Sequence, residues 1–208
     1  MSKKYYELKI SGDDFERSDR GIYPSIAEAV GIEFEKKQWL VTKGRPLAKE
    51  EWSSDFSFKL IQDEVRDQNL YNTQKWCIFS DELCNSVMKE GITGFQFLPI
   101  KVYDMEGKII PNYKTVANID NKAYCMDMDR SVYKTYRDFF GKESEWPDVV
   151  SSDKIISIKR LVLKNALLPE TNVFRLGDMF FTITDEKFVD MFTANHYSGF
   201  SFTEVEVV

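Results

Sequence analysis

The chain has 208 residues, 43% hydrophobic, 14% aromatic and 30% charged, a composition that folds around a core and excludes a disordered chain, since such chains are poor in aromatics. Its net charge of −6, from 28 Lys and Arg against 34 Asp and Glu, argues against nucleic acid as a partner, because phosphate binding draws on an excess of Lys and Arg. Apolar runs such as RLVL and MFF fall far short of the roughly 18 residues that cross a bilayer, and no signal-peptide core follows MSKKYYELKI; the expectation is a cytoplasmic protein, not exported and not bound to membrane.

In chain order, KKYYELKI (3–10) predicts an opening strand and DFSFKL (55–60) another, both by alternation. Between them, SIAEAVGIEFEKKQWL (25–40) predicts a short helix ending at Gly31, and TKGRPLAKEEWSSD (42–55) a loop that carries Trp52. At 77–102 the pattern becomes detailed. Cys77 and Phe79 alternate as in a short strand, Ser80 stands at a helix N-cap, and Asp81 and Glu82 occupy a first turn that favours carboxylates. Cys84, Val87 and Met88 form an apolar stripe, Gly91 ends the helix, and Phe95, Phe97, Ile100 and Val102 follow Gly94. The three-residue step from Phe97 to Ile100 predicts a β-bulge near Leu98-Pro99, if all four side chains face one way. Beyond 101 the sequence reads as strand, Glu106-Gly107 turn, strand. At 130–150 it reads as a helix stopped around Gly141 and a polar loop ending in Trp146-Pro147. At 153–169 it is strand-rich, and at 172–184 it forms a hairpin turning at Gly177-Asp178.

The last segment, FTITDEKFVDMFTANHYSGFSFTEVEV (181–207), repeats the pattern of 77–102. With Asp185 set on Asp81, Thr184 takes the N-cap, Phe188, Met191 and Phe192 the stripe, and Asn195 the stop. One extra residue within HYS then moves the spacing from 104 to 105 before Gly199, and Phe200, Phe202, Val205 and Val207 predict a second bulge near Thr203-Glu204. Agreement through cap, stripe, stop and strand predicts an α+β fold, mainly antiparallel. It is expected to form a single domain over 1–208, with two related strand–helix–bulged strand units at about 75–102 and 179–207 in one body.

Chemistry is sparse. Cys77, Cys84 and Cys125 are odd in number and lack zinc-ligand spacing, so free packed thiols are expected. His196, the single histidine, lies in a turn; Asp127 and Asp129 lack a third ligand; no phosphate-cradling loop is present; and Arg175, set in an apolar strand, suits a structural role. No catalytic residue, metal or cofactor is therefore expected.

WCIFSDELCNSVMKEGITGFQFLPI, SDKIISIKRLVLKNALLPETNVFRLGD and FTITDEKFVDMFTANHYSGFSFTEV together resemble a bacterial family of immunity proteins from polymorphic toxin systems. The resemblance covers about 70–208 and leaves the N-terminal third unmatched. It rests on Trp76, Ser80, Gly94, Phe95, Phe97, Pro99, Phe174, Arg175, Gly199, Phe200 and Phe202, with Thr184 where Ser is more usual. It implies a non-enzymatic cytoplasmic protein that binds and neutralises a cognate toxin, with self-association left open. Negative charge and aromatic character nominate Asp13, Asp14, Glu50, Glu51, Trp52, Asp127 and Asp129 as the contact surface. The alternative is an enzyme or small-molecule binder with a cleft between the two units, using Arg175 and Asp127.

Overall fold

A computed structural model describes residues 3–10, 27–30, 40–53, 55–61, 68–70, 76–140, 153–179 and 181–208. Strand β1 (Tyr5–Ile10) is followed by β2 (Ala27–Val30), where a helix was expected. Ala27 is buried while Glu28 and Val30 are exposed, a period of two that suits a strand pairing on one side with β3 (Ser57–Leu60); Gly31 lies outside the described residues. Next come β4 (Asn69–Leu70), β5 (Ile78–Phe79), helix α1 (Asp81–Lys89), β6 (Phe95–Pro99), β7 (Lys101–Tyr103), β8 (Thr115–Ile119) and β9 (Lys122–Ala123). The stretch from 130 holds β10 (Val132–Thr135) and only then a short helix, α2 (Tyr136–Phe140); Gly141 and Trp146-Pro147 lie outside the described residues. The chain finishes with β11 (Ile155–Arg160), β12 (Val162–Leu163), β13 (Val173–Leu176), β14 (Thr182–Asp185), α3 (Glu186–Ala194) and β15 (Phe200–Val207). Among the described residues strands thus outnumber helices, and most pairings are antiparallel; β3 with β7, β9 with β13 and β12 with β15 are parallel.

The largest sheet runs β12-β15-β1-β14-β13-β9. One segment joins its two margins. Residues 121–123 bond to β13, with Asn121 and Ala123 carbonyls accepting from Arg175 and Gly177. A few residues on, the Asp127 N–H donates to the Val162 carbonyl at 2.8 Å and the Lys164 N–H to the Cys125 carbonyl at 2.7 Å, bonding the same segment to β12. These bonds join the sheet's two margins, so that it closes on itself. Inside lie Tyr5, Cys125, Leu163, Phe174, Leu176, Ile183 and Val205.

Two further cores stack outside it. Leu8, Val173 and Phe200 on the outer face of the closed sheet meet Leu83, Cys84 and Val87 of α1 and Phe188, Met191 and Phe192 of α3. On the far side, Cys77, Phe79, Ala117 and Ile119 complete this middle core from the sheet β4-β5-β8-β6. The other face of that sheet contributes Leu70, Ile78, Leu98 and Val116 to a third core, covered by Ala27, Phe58, Leu60 and Val102 of the sheet β2-β3-β7.

This layering overturns the expected bulges. β6 pairs with β8 without interruption from Phe95↔Ile119 to Pro99↔Thr115, and β15 pairs with β1 from Phe200↔Ile10 to Val205↔Tyr5. Phe95 and Phe97 pack on the middle core, whereas Leu98, Ile100 and Val102 pack on the other side. Phe200 and Phe202 likewise face the middle core, and Val205 and Val207 face the closed interior. A regular strand delivers both sets because successive side chains alternate faces; the three-residue step marks a change of core.

The two strand–helix–strand segments keep a constant offset of 105. Each helix has nine residues, with Ser80 and Asp185 as N-caps, the side chains accepting from Leu83 and Phe188. At the C-termini Gly91 and His196 adopt positive φ, and the N–H groups of Ile92 and Tyr197 reach back to Val87 and Phe192. Thr184 is not the cap: it is fully buried and donates its hydroxyl to the Asn172 carbonyl. The inferred extra residue between Asn195 and Gly199 disappears with it. Met88 is exposed, and Leu83 takes its place in the stripe. Replacing Ser80 with alanine should lower stability by about 1 kcal/mol in urea unfolding, since it leaves the Leu83 N–H without its acceptor.

Candidate functional site

The residues nominated as an acidic contact surface have diverse settings. Glu51 is bound by Arg45, whose Nη1 donates to it at 2.8 Å, and accepts the Ala48 N–H at 3.0 Å. Those donors hold its carboxyl down to about 2. The pair's contribution is complete above a carboxylate's ordinary range and is lost as pH falls through about 2; being solvent-exposed, it should produce only a shallow acid-side slope in a stability-versus-pH series that Glu51→Gln removes. Trp52 is half-buried: its Nε1 donates to the Pro99 carbonyl at 2.8 Å, and its ring packs 4.7 Å from Phe56 and 5.5 Å from Trp76. Asp127 is buried, and its Oδ1 accepts the N–H groups of Asp129 and Arg130, so it shapes a turn rather than an extended acidic face. Glu50 and Asp129 are exposed. Asp13 and Asp14 lie outside the described residues. Trp52 belongs to the third core and Asp127 to the rim of the closed sheet, so the nominated residues are anchored in separate layers.

Arg175, named with Asp127 for a cleft, is buried in β13 and directs Nη2 toward the Val41 carbonyl at 3.4 Å, with Gly44 packed against its stem. Desolvation lowers its pKa. A polar network that the sequence did not announce ties the two helical segments together. Asp185 accepts from Lys3 Nζ at 2.6 Å and from Asn172 Nδ2 at 2.7 Å, while Asn172 Oδ1 accepts from the Thr93 backbone at 2.8 Å and from its hydroxyl at 3.0 Å. Around it, Gly94 lies against the Val173 backbone, and Gly199 lies against the Asn69 backbone. Each helical segment thus docks its turn on the strand that precedes the other.

Cys77, Cys84 and Cys125 are free and buried, and burial pushes each thiol up to about 11. At pH 8 only on the order of one in a thousand is thiolate. Iodoacetamide should therefore leave the native chain almost unlabelled and modify all three thiols in urea, as read by intact mass. No group of three or more His, Cys, Asp or Glu among the described residues is placed to hold a metal ion, and none of the described helices is long and apolar enough to cross a membrane.

A family model described as "Immunity protein family (Imm11)" matches residues 4–207, from the start of β1 to the end of β15. The chain belongs to that family. No curated protein matches it. In this Imm11 chain the positions that carried the resemblance are occupied by architecture. Trp76 and Phe174 are buried in two different cores; Ser80 caps α1; Phe95, Phe97, Phe200 and Phe202 surround Phe188 and Phe192 in the middle core. Phe188 alone has ring centroids of Phe95, Phe200 and Phe202 at 5.8, 6.1 and 6.1 Å. Pro99, which has no N–H to give, sits at the end of β6, itself a margin of its sheet. The N-terminal strand β1, outside the span of the resemblance, lies between β15 and β14 and within the family match.

Proposed function

We propose that this Imm11 chain binds and neutralises a cognate bacterial toxin of a polymorphic toxin system in the cytoplasm, without catalysis and without a cofactor. The family match from residue 4 to residue 207 carries the reading. A preformed surface on a layered, closed scaffold suits tight inhibition, because little ordering remains to be done on binding. In the same reading the two helical segments descend from one duplicated unit, supported by their constant offset of 105 and matching caps. The same reading takes 1–208 as one domain, supported by a middle core that mixes β1, β5, β8, β13 and both long helices. Asp13, Asp14, Glu50, Glu51, Trp52, Asp127 and Asp129 remain candidate contacts, of which Glu50 and Asp129 are exposed.

Co-expression with the toxin encoded beside the chain tests the function. Cell survival and co-purification are the expected results, and toxicity undiminished by the soluble chain would remove the proposal. Reversing the charges of Glu50 and Asp129 tests those contacts: unchanged protection and affinity would strike them from the surface.

A further inference from the structure

The chain is not uniformly acidic. Residues 130–138 and 153–164 contain seven Lys and Arg against two Asp, 7 − 2 = +5 in a chain of −6. Strands β10 and β11 from this region pair with each other as a separate ribbon. Tyr133, Ile155 and Ile158 turn one side of the ribbon onto the closed sheet, while Val132, Lys134, Ser157 and Lys159 are exposed.

Tyr124, at 66% the most exposed large hydrophobic side chain among the described residues, is linked to this region through its partner Asp178, which lies within electrostatic reach of Lys154, the residue before β11. It is nevertheless fixed. Its hydroxyl donates to Asp178 Oδ2 at 3.0 Å, Lys122 Nζ lies 6.0 Å from its ring centroid, and Gly177 sits so close that a Cβ there would be 3.3 Å from the ring. Asp178 also binds Lys122 at 2.6 Å, and its carboxyl is held low by the hydrogen bonds from Lys122 and Tyr124 and by the charges of Lys122 and Lys154. An exposed aromatic that gives up little freedom on binding, flanked by cations, has the properties of an interface anchor.

We propose that Tyr124 and the basic β10–β11 ribbon form the docking face for an acidic region of a partner protein, with Tyr124 as its anchor. This rests on the toxin-binding reading and names the face that would serve it. A protein is favoured over nucleic acid because Asp138, Asp153 and Asp178 are interspersed with the cations; a phosphate chain would be repelled by them, whereas a surface of mixed sign matches them.

The test measures binding of the purified chain to the toxin encoded beside it by biolayer interferometry, with a duplex DNA of about 20 base pairs as a second analyte. Tyr124→Ala should weaken toxin affinity about 30-fold or more while leaving the thermal midpoint in place. The double reversal Lys134→Glu with Lys159→Glu should slow association about tenfold at low salt and much less at about 0.5 M salt. Wild-type binding retained in full by both variants would overturn the face and leave the toxin-binding function standing. Absence of wild-type binding would remove both. Duplex DNA bound as tightly as the toxin, and lost in the double reversal, would overturn the assignment of a protein partner.

Discussion

Alanine at Gly94 is expected to cost about 4 kcal/mol or more, enough to leave much of a marginally stable protein unfolded. Gly94 has φ +102, and a Cβ built on it would lie 2.0 Å from the Val173 carbonyl oxygen, 2.9 Å from its carbon and 3.1 Å from its nitrogen. All three are backbone atoms, so no side chain can swing aside, and relief requires pulling apart the bond from the Val173 N–H to the Thr93 carbonyl. Gly199, at φ +107 and placed so that a Cβ would lie 2.5 Å from the Asn69 carbonyl oxygen, should behave the same way. Gly107 separates strain from collision: its φ is +85, but nothing lies within 4 Å. Alanine there should cost about 1 kcal/mol, the backbone term alone. Urea midpoints of the three variants decide the matter, and a Gly94→Ala midpoint no lower than that of Gly107→Ala would refute the close approach.

The second large effect is expected at Asp185. Asp185→Ala removes the N-cap acceptor of Phe188, the partner of Asn172 Nδ2 and the counter-ion of Lys3 at once, in a fully buried position. A loss of about 3–5 kcal/mol is expected, as for other buried charge networks broken on one side. Asp185→Asn keeps an oxygen for the cap and surrenders the charge, which Lys3, partly in water, can tolerate. Its cost should be about half as large. Equal unfolding free energies for the two variants would mean that the bonds to Oδ2, from Lys3 and Asn172, and not the cap on Oδ1, hold this junction.

Both helices, their apolar stripes and the core role of the Gly-Phe pairs were readable from residue types and spacing, because caps and 3.6-residue periodicity are local. The errors have a physical pattern. Thr184 and Asp185 are both good caps, so the sequence alone slid the second segment by one residue, which displaced Met88 into the stripe and created a false insertion before Gly199. The bulges were inferred by assuming one core, whereas β6 and β15 serve different cores with alternate side chains. Closure of the large sheet by residues 121–127 could not be foreseen, since its partners in β12 and β13 lie tens of residues away and one of the contacts is a single bridge. The nominated acidic surface was chosen by charge and not by position, and its members Glu51, Trp52 and Asp127 also make bonds within the chain, which charge alone does not reveal. Tyr124 carried no sequence signal, because its exposure and its fixed ring depend on Asp178 and Gly177 far along the chain.

The position of β1 between β14 and β15 also governs when the protein can exist during its own synthesis. Tyr5 emerges from the ribosome first of its sheet, yet its neighbours Asp185 and Val205 are translated some 180 to 200 codons later, a delay on the order of ten seconds or more at ordinary elongation rates. Until then the strand at the centre of the closed sheet has both edges unsatisfied, and so many distant pairings predict slow folding. The folded protein would then lag translation, and a ribosome stalled short of residue 200 would yield no partly folded sheet.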